Sequence, residues 1–123
     1  MGHAAIIPMT AGLQRGIDLF NSGRYWDAHE AWELEWMPDR QGPDAGFYKG
    51  LIQVAAGCLH YGRQNRRGAM NKWRSGADYL RPFLPSHLGV LLSPLVATVD
   101  GYLAALQPPV WPELTMPTIA QES

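Results

Sequence analysis

The sequence predicts an all-α fold, a single domain of about five helices. Three observations predict it. β-Branched residues are sparse and no run alternates apolar with polar at period two. Apolar residues recur instead at the three- and four-residue intervals of a helix face. Prolines fall mostly between the periodic stretches, at Pro38 and Pro43, at Pro82 and Pro85, and from Pro108 to Pro117. At 123 residues one domain can bury a sizeable core without a disulfide or a structural metal.

The first helix is predicted over residues 10–21, with Thr10 as N-cap and Gly23 as the C-terminal stop. The second spans residues 25–37 and halts before Pro38. Residues 39–43 form a loop by composition. The third spans residues 44–64, and Asn65 ends it and caps a fourth that runs to residue 80. Pro82 and Pro85 break the chain there. Ser93-Pro94 reads as an N-cap followed by proline at the first helical position, which opens a fifth helix over residues 94–106 after a short turn at 88–92. The predicted organisation is an N-terminal extension (1–9), a helical domain (10–106) and a Pro-rich tail (107–123) held by Trp111 alone. Ala28-x-x-x-Trp32 and Ala69-x-x-x-Trp73 lie 41 residues apart, each early in the second helix of a pair. The echo predicts two stacked helical hairpins but falls short of a solenoid.

Composition narrows the function. Apolar residues are 46% and charged residues 17%, as in a globular chain, and the net charge is −1. That argues against whole-molecule electrostatic binding to nucleic acid or membrane. The single Cys58 excludes an internal disulfide and any multi-cysteine metal site within one chain, and it fits a reducing compartment. The greasiest stretches, residues 51–61 and 88–99, are far shorter than the roughly 20 residues a membrane span needs. The first eight residues lack Lys and Arg and do not read as a signal peptide, so a cytoplasmic location is expected. Residues 63–81 hold six bases and one acid, a local net of +5. This is either a solvated face or an anion contact at Arg66 and Arg67 near a helix start. Trp73 is nearly the only aromatic among those bases, which disfavours single-stranded nucleic acid.

The second helix carries the chemistry. At about 100° per residue, Tyr25, Ala28, Trp32 and Trp36 share an apolar face. His29 falls inside that arc, Glu33 at its margin and Glu30 beyond Glu33, while Asp27 and Glu35 point to the surface. The third helix is apolar almost all round, as a central helix should be. Its one polar stripe is Lys49, Gln53 and His60, beside Ala56 and Gly57. If that stripe meets the second helix, His29, Glu30, Glu33, Trp36, Gln53 and His60 line one pocket. Three readings stay open. The first is a buried network that fixes the register of two helices. The second is a divalent-metal site of His29, Glu33 and His60. The third is a metal-free pocket for a small polar ligand, or a general acid–base pair. His29-Glu30-x-x-Glu33 lacks the second histidine of the zinc-protease signature. The remaining tryptophans and Cys58 read as core residues, and His3 and His87 as exposed. No phosphate-binding loop, dinucleotide fingerprint or serine elbow is present.

Phe20-Asn-x-Gly23-x-Tyr25-x-x-Ala28-His29-Glu30-x-x-Glu33-x-x-Trp36, then Gly50-Leu51-Ile52-Gln53-x-Ala55, then His60, Asn65 and Gly68-Ala69, resemble a bacterial and archaeal family, domain of unknown function 309. The resemblance covers roughly residues 13–81, and its His-x-x-x-Glu-x-x-Trp motif stands here as His29, Glu33 and Trp36. It implies a small, left-handed helical bundle. It implies no activity. The expectation is therefore a small cytosolic protein whose His/Glu pocket takes a divalent metal or a small polar ligand. In a hydrolytic version Glu33 or Glu30 activates water and His29 positions it. The alternative is a non-enzymatic interaction module that presents its hairpins to a partner protein. Small-residue helix contacts and aromatic-rich faces leave a homodimer open.

Overall fold

The structure is a computed structural model that describes residues 9–123. Among the described residues five helices follow in order: α1 (Ala11–Asn21), α2 (Tyr25–Trp36), α3 (Ala45–Gly62), α4 (Arg66–Leu80) and α5 (Ser93–Ala105). Short 3₁₀ turns, Met37–Asp39 and Arg81–Phe83, follow α2 and α4 at prolines. The fold is all-α, with α3 packed between α2 and α4, and α5 against α4.

Two helix starts follow side-chain caps, but Ser93, expected to cap the fifth helix, is instead its first residue, with Leu92 at the cap position and no side-chain cap bond. The Thr10 hydroxyl accepts from the Leu13 amide, and the Asn65 side chain accepts from the Gly68 amide. α1 and α3 end alike. Gly23 (φ +80°) and Gln64 (φ +57°) both take the left-handed conformation. The next amides, of Arg24 and Asn65, reach back to the carbonyls of Leu19 and His60, each at 2.9 Å. This is the Schellman closure, which satisfies otherwise orphaned carbonyls.

The 41-residue echo is structural. The Trp32 indole Nε1 donates to the Leu13 carbonyl at 3.3 Å, and the Trp73 Nε1 donates to the Val54 carbonyl at 3.1 Å. Both rings are fully buried, as are Ala28 and Ala69 one turn earlier. Each ring lies on a glycine, Gly16 or Gly57, where a Cβ would stand 2.1 or 2.2 Å from an indole atom. Two copies of one hairpin, α1–α2 and α3–α4, are thus locked by the same device. The stack ends on a polar face. Where α3 has the buried Ala55 and half-buried Leu59, α1 carries Gln14 and Asp18, bonded to each other in solvent at 2.9 Å.

Two larger features also depart from the sequence reading. Residues 86–91 form a small hairpin instead of a turn over 88–92: β1 (Ser86–His87) and β2 (Val90–Leu91) are joined through Leu88 and Gly89, both at positive φ. Two-residue strands are too short to show a period. The tail is not held by Trp111 alone. It runs back across the helices, buries Ile119 and Pro117, and adds β3 (Ala120–Gln121) antiparallel to β2. The proposed domain limits of 10–106 and 107–123 therefore mark a change in chain character across one continuous core that includes Ile119.

Candidate functional site

α2 sorts its residues by burial. Ala28 and Trp32 are fully buried, and they leave His29, Glu33 and Trp36 half-exposed along one edge. His29 Nε2 and Glu33 Oε2 lie 3.0 Å apart, with side chains 24% and 43% exposed. These exposures argue against a buried register network, since no polar or charged residue is buried among the described residues. The arc expected to bury His29 is narrower than the wheel suggested. Small Ala28 and large Trp32 fill it, and the neighbouring imidazole reaches its rim beside the exposed Trp26, with ring centroids 5.1 Å apart.

The polar stripe of α3 is real and half-exposed: Lys49, Gln53, Ala56 and His60, at helical spacings of four, three and four. Contacts fix its two ends. The Lys49 ammonium stands 5.4 Å from the Trp36 ring centre on α2 and 5.8 Å from that of Tyr79 on α4. Arg40 approaches Trp36 at 5.8 Å, and its carbonyl accepts from the Trp36 indole at 3.3 Å. At the other end the Asn65 amide donates to His60 Nδ1 at 3.1 Å, over Gly68. From Lys49 to His60 is eleven residues, about 16 Å of open helix face. Half-buried Gly68, half-buried Lys72 and Ser75, and exposed Tyr79 share one face of α4 at matching spacing.

The structure therefore brings together part of the predicted pocket. His29 pairs with Glu33, Trp36 meets Lys49, and Gln53 lies one turn beyond Lys49. His60 is bonded by Asn65 at the α3–α4 corner. Among the described residues no three His, Cys, Asp or Glu side chains gather closely enough to hold a metal ion. Glu30 leaves the group, because it lines a depression with Arg15, Asp27, Ala31 and Leu34 on the outer face of the first hairpin. Glu35 is no free surface acid. It accepts from the Thr10 hydroxyl and packs where a Cβ on Gly12 would stand. Arg66 donates to the carbonyl of Leu106, the residue that caps α5, and stacks 5.3 Å over Trp111, whereas Arg67 is exposed.

His87 is not the exposed residue expected. It bonds Asp44 at 2.7 Å and sits against Phe47 and Phe83, with ring centroids at 4.9 and 4.6 Å. The partners are 43 residues apart, so no local signal could join them. Tyr79 was also missed, and its place four residues after Ser75 on a polar face was the available signal. Cys58 behaves as a core residue, with its thiol pushed up to about 12 by desolvation.

The segment that builds both hairpin turns and most of this stripe matches a known family model. Residues 13–71 match the family model Domain of unknown function (DUF309). This is the family that the sequence resembles, and the match ends within α4 rather than at residue 81. The matched segment thus holds the stripe from His29 to Gly68, while Lys72, Ser75, Tyr79, α5 and the tail lie beyond it. No curated protein matches the chain. Among the described residues no helix is long and apolar enough to cross a membrane.

Proposed function

We propose that the chain is a non-enzymatic interaction module that holds an acidic segment of a partner protein along the stripe between α2 and α4. One observation carries this reading. The polar and aromatic side chains are spread along an open helix face and do not converge on a point, as general acid–base or metal chemistry requires. Charge favours an acidic partner. Lys49 and Lys72 stand on the stripe, Arg67 and Arg74 stand beside it on α4, and none has an ion-pair partner among the described residues. The acid on the α2 bank, Glu33, is already paired with His29.

A second reading, a small polar ligand held by His29 and Glu33, is favoured by that half-exposed pair alone. The test is affinity capture with the full chain and with Lys49→Glu/Lys72→Glu. The module reading expects an acidic protein partner that the double variant loses and His29→Ala retains. Elemental analysis of tag-free protein is run alongside. Near-stoichiometric divalent metal that disappears in His29→Ala would overturn the proposal and restore a metal site.

A further inference from the structure

A different set of residues already binds an extended chain. Residues 107–121 cross the ends of α1 and α3 and the face of α5, and their main chain is gripped by side chains. The Tyr61 hydroxyl donates to the Pro112 carbonyl at 2.7 Å and accepts from the Leu114 amide at 2.8 Å. The Tyr102 hydroxyl donates to the Thr115 carbonyl. Asn21 makes a two-point clamp, with Nδ2 to the Ile119 carbonyl at 3.0 Å and the Ile119 amide to Oδ1 at 2.7 Å. Beyond the clamp the segment pairs with β2, and the Glu122 amide donates to the Gly89 carbonyl at 2.8 Å.

Three side-chain features add selectivity. Trp111 stacks flat on Tyr61, with centroids 5.1 Å apart and planes at 8°, and Ile119 and Pro117 are buried. Glu113, Thr115 and Thr118 face solvent and specify nothing. Directed bonds to main-chain atoms, an added strand and a few apolar sockets are how folded domains recognise extended peptides. The linker, residues 107–110, is exposed throughout. Asn21 and Tyr61 lie in the segment that matches the family model, whereas the gripped residues lie outside it.

We propose that Asn21, Tyr61 and Tyr102 form a binding site for an extended, proline-punctuated segment of another protein, with an aromatic residue and an aliphatic residue eight positions later. The chain's own residues 107–121 are its resident competitor. The site shares none of these residues with the stripe and stands independently of the reading above.

The probe is a labelled synthetic peptide of residues 107–123, titrated by fluorescence anisotropy into the full chain. Ile119→Asp in the protein weakens the resident segment, so it should bind the probe at least about tenfold more tightly than wild type does. Adding Asn21→Ala should reverse that gain, since it removes two bonds from the clamp. Circular dichroism checks that each variant is folded, and Trp111→Ala is a second way to loosen the resident segment. Hydrogen exchange on the wild type gives an arm free of folding questions. The amides of Leu114, Ile119 and Glu122 should exchange faster than those in the middle of α3, by local release. Exchange of these amides only with global unfolding, or no gain in probe binding by either folded variant, would overturn the proposal. A concentration-dependent dimer that exchanges tails would also overturn it, because the occupant would then be a second copy.

Discussion

Gly57→Ala tests the repeated locking device. The added methyl would stand 2.2 Å from Trp73 Cδ1, 2.4 Å from Nε1 and 2.7 Å from Cγ. These distances are all under ordinary van der Waals contact, so the indole must move by about 1 Å. It has no room, being fully buried with its ring 4.8 Å from that of Tyr102 and 5.9 Å from that of Tyr61. Overpacking costs about 1–3 kcal/mol. Breaking the bond from Nε1 to the Val54 carbonyl strands a buried donor, at about 1–3 kcal/mol more. Better helix propensity returns about 1 kcal/mol. The net loss is about 1–5 kcal/mol, which for a chain of this length lowers the melting temperature by roughly 4–20 °C. Urea titration followed by tryptophan fluorescence measures it. Gly16→Ala, the equivalent position against Trp32, should lose a similar amount. Gly62→Ala, where a Cβ meets nothing within 4 Å, is the control and should be neutral or stabilising. If Gly57→Ala melts with the wild type, the close approach of indole to helix is not what locks the hairpin.

Four further outcomes follow from the same structure. Gln64→Gly should stabilise by up to about 1 kcal/mol in urea titration, because Gln64 holds φ +57° while exposed and its counterpart is Gly23. His29→Ala and Glu33→Gln should each change stability by less than about 1 kcal/mol, as expected of a half-exposed pair, and a loss of several would mean a buried network after all. Alkali should destabilise the fold. The thiol of Cys58 and the hydroxyl of Tyr102 are both raised to about 12 by burial, and that of Tyr25 is raised too. The native state therefore keeps protons that the unfolded chain gives up, so stability is full below pH 8 and falls between about pH 9 and 12. A pH series of denaturation midpoints reads this slope, and Cys58→Ala should shallow it. Native Cys58 should also resist a thiol reagent at pH 8 until the chain is unfolded, whereas rapid native labelling would refute its burial.

The sequence showed most of the helical framework because its signals are local. Thr10, Gly23, Pro38 and Asn65 act within a turn of their own positions. The 41-residue echo was visible in Ala28-Trp32 and Ala69-Trp73 because the same contact fixes both pairs. The stripe was half legible. Periodicity placed Lys49, Gln53 and His60 on one face, but it could not say which neighbour each residue meets. It gave no sign that Asn65 would bond His60 at the α3–α4 corner. The His87–Asp44 bond and the Asn21 clamp on Ile119 join residues 43 and 98 positions apart, and their cause lies in the packed fold. The tail was misread for a related reason: its prolines rule out a helix but do not prevent an extended chain from being gripped by its backbone.

The most direct test of the stripe is a photo-crosslinking residue placed at Gln53, with Arg15 on the outer face of the first hairpin as the reference position. Illumination in extract of the source organism, followed by mass spectrometry, identifies what lies against each position. An interaction module predicts a defined acidic protein joined at position 53, absent at position 15 and lost in Lys49→Glu/Lys72→Glu. Equal adducts at both positions, or an RNA adduct at position 53, would contradict it.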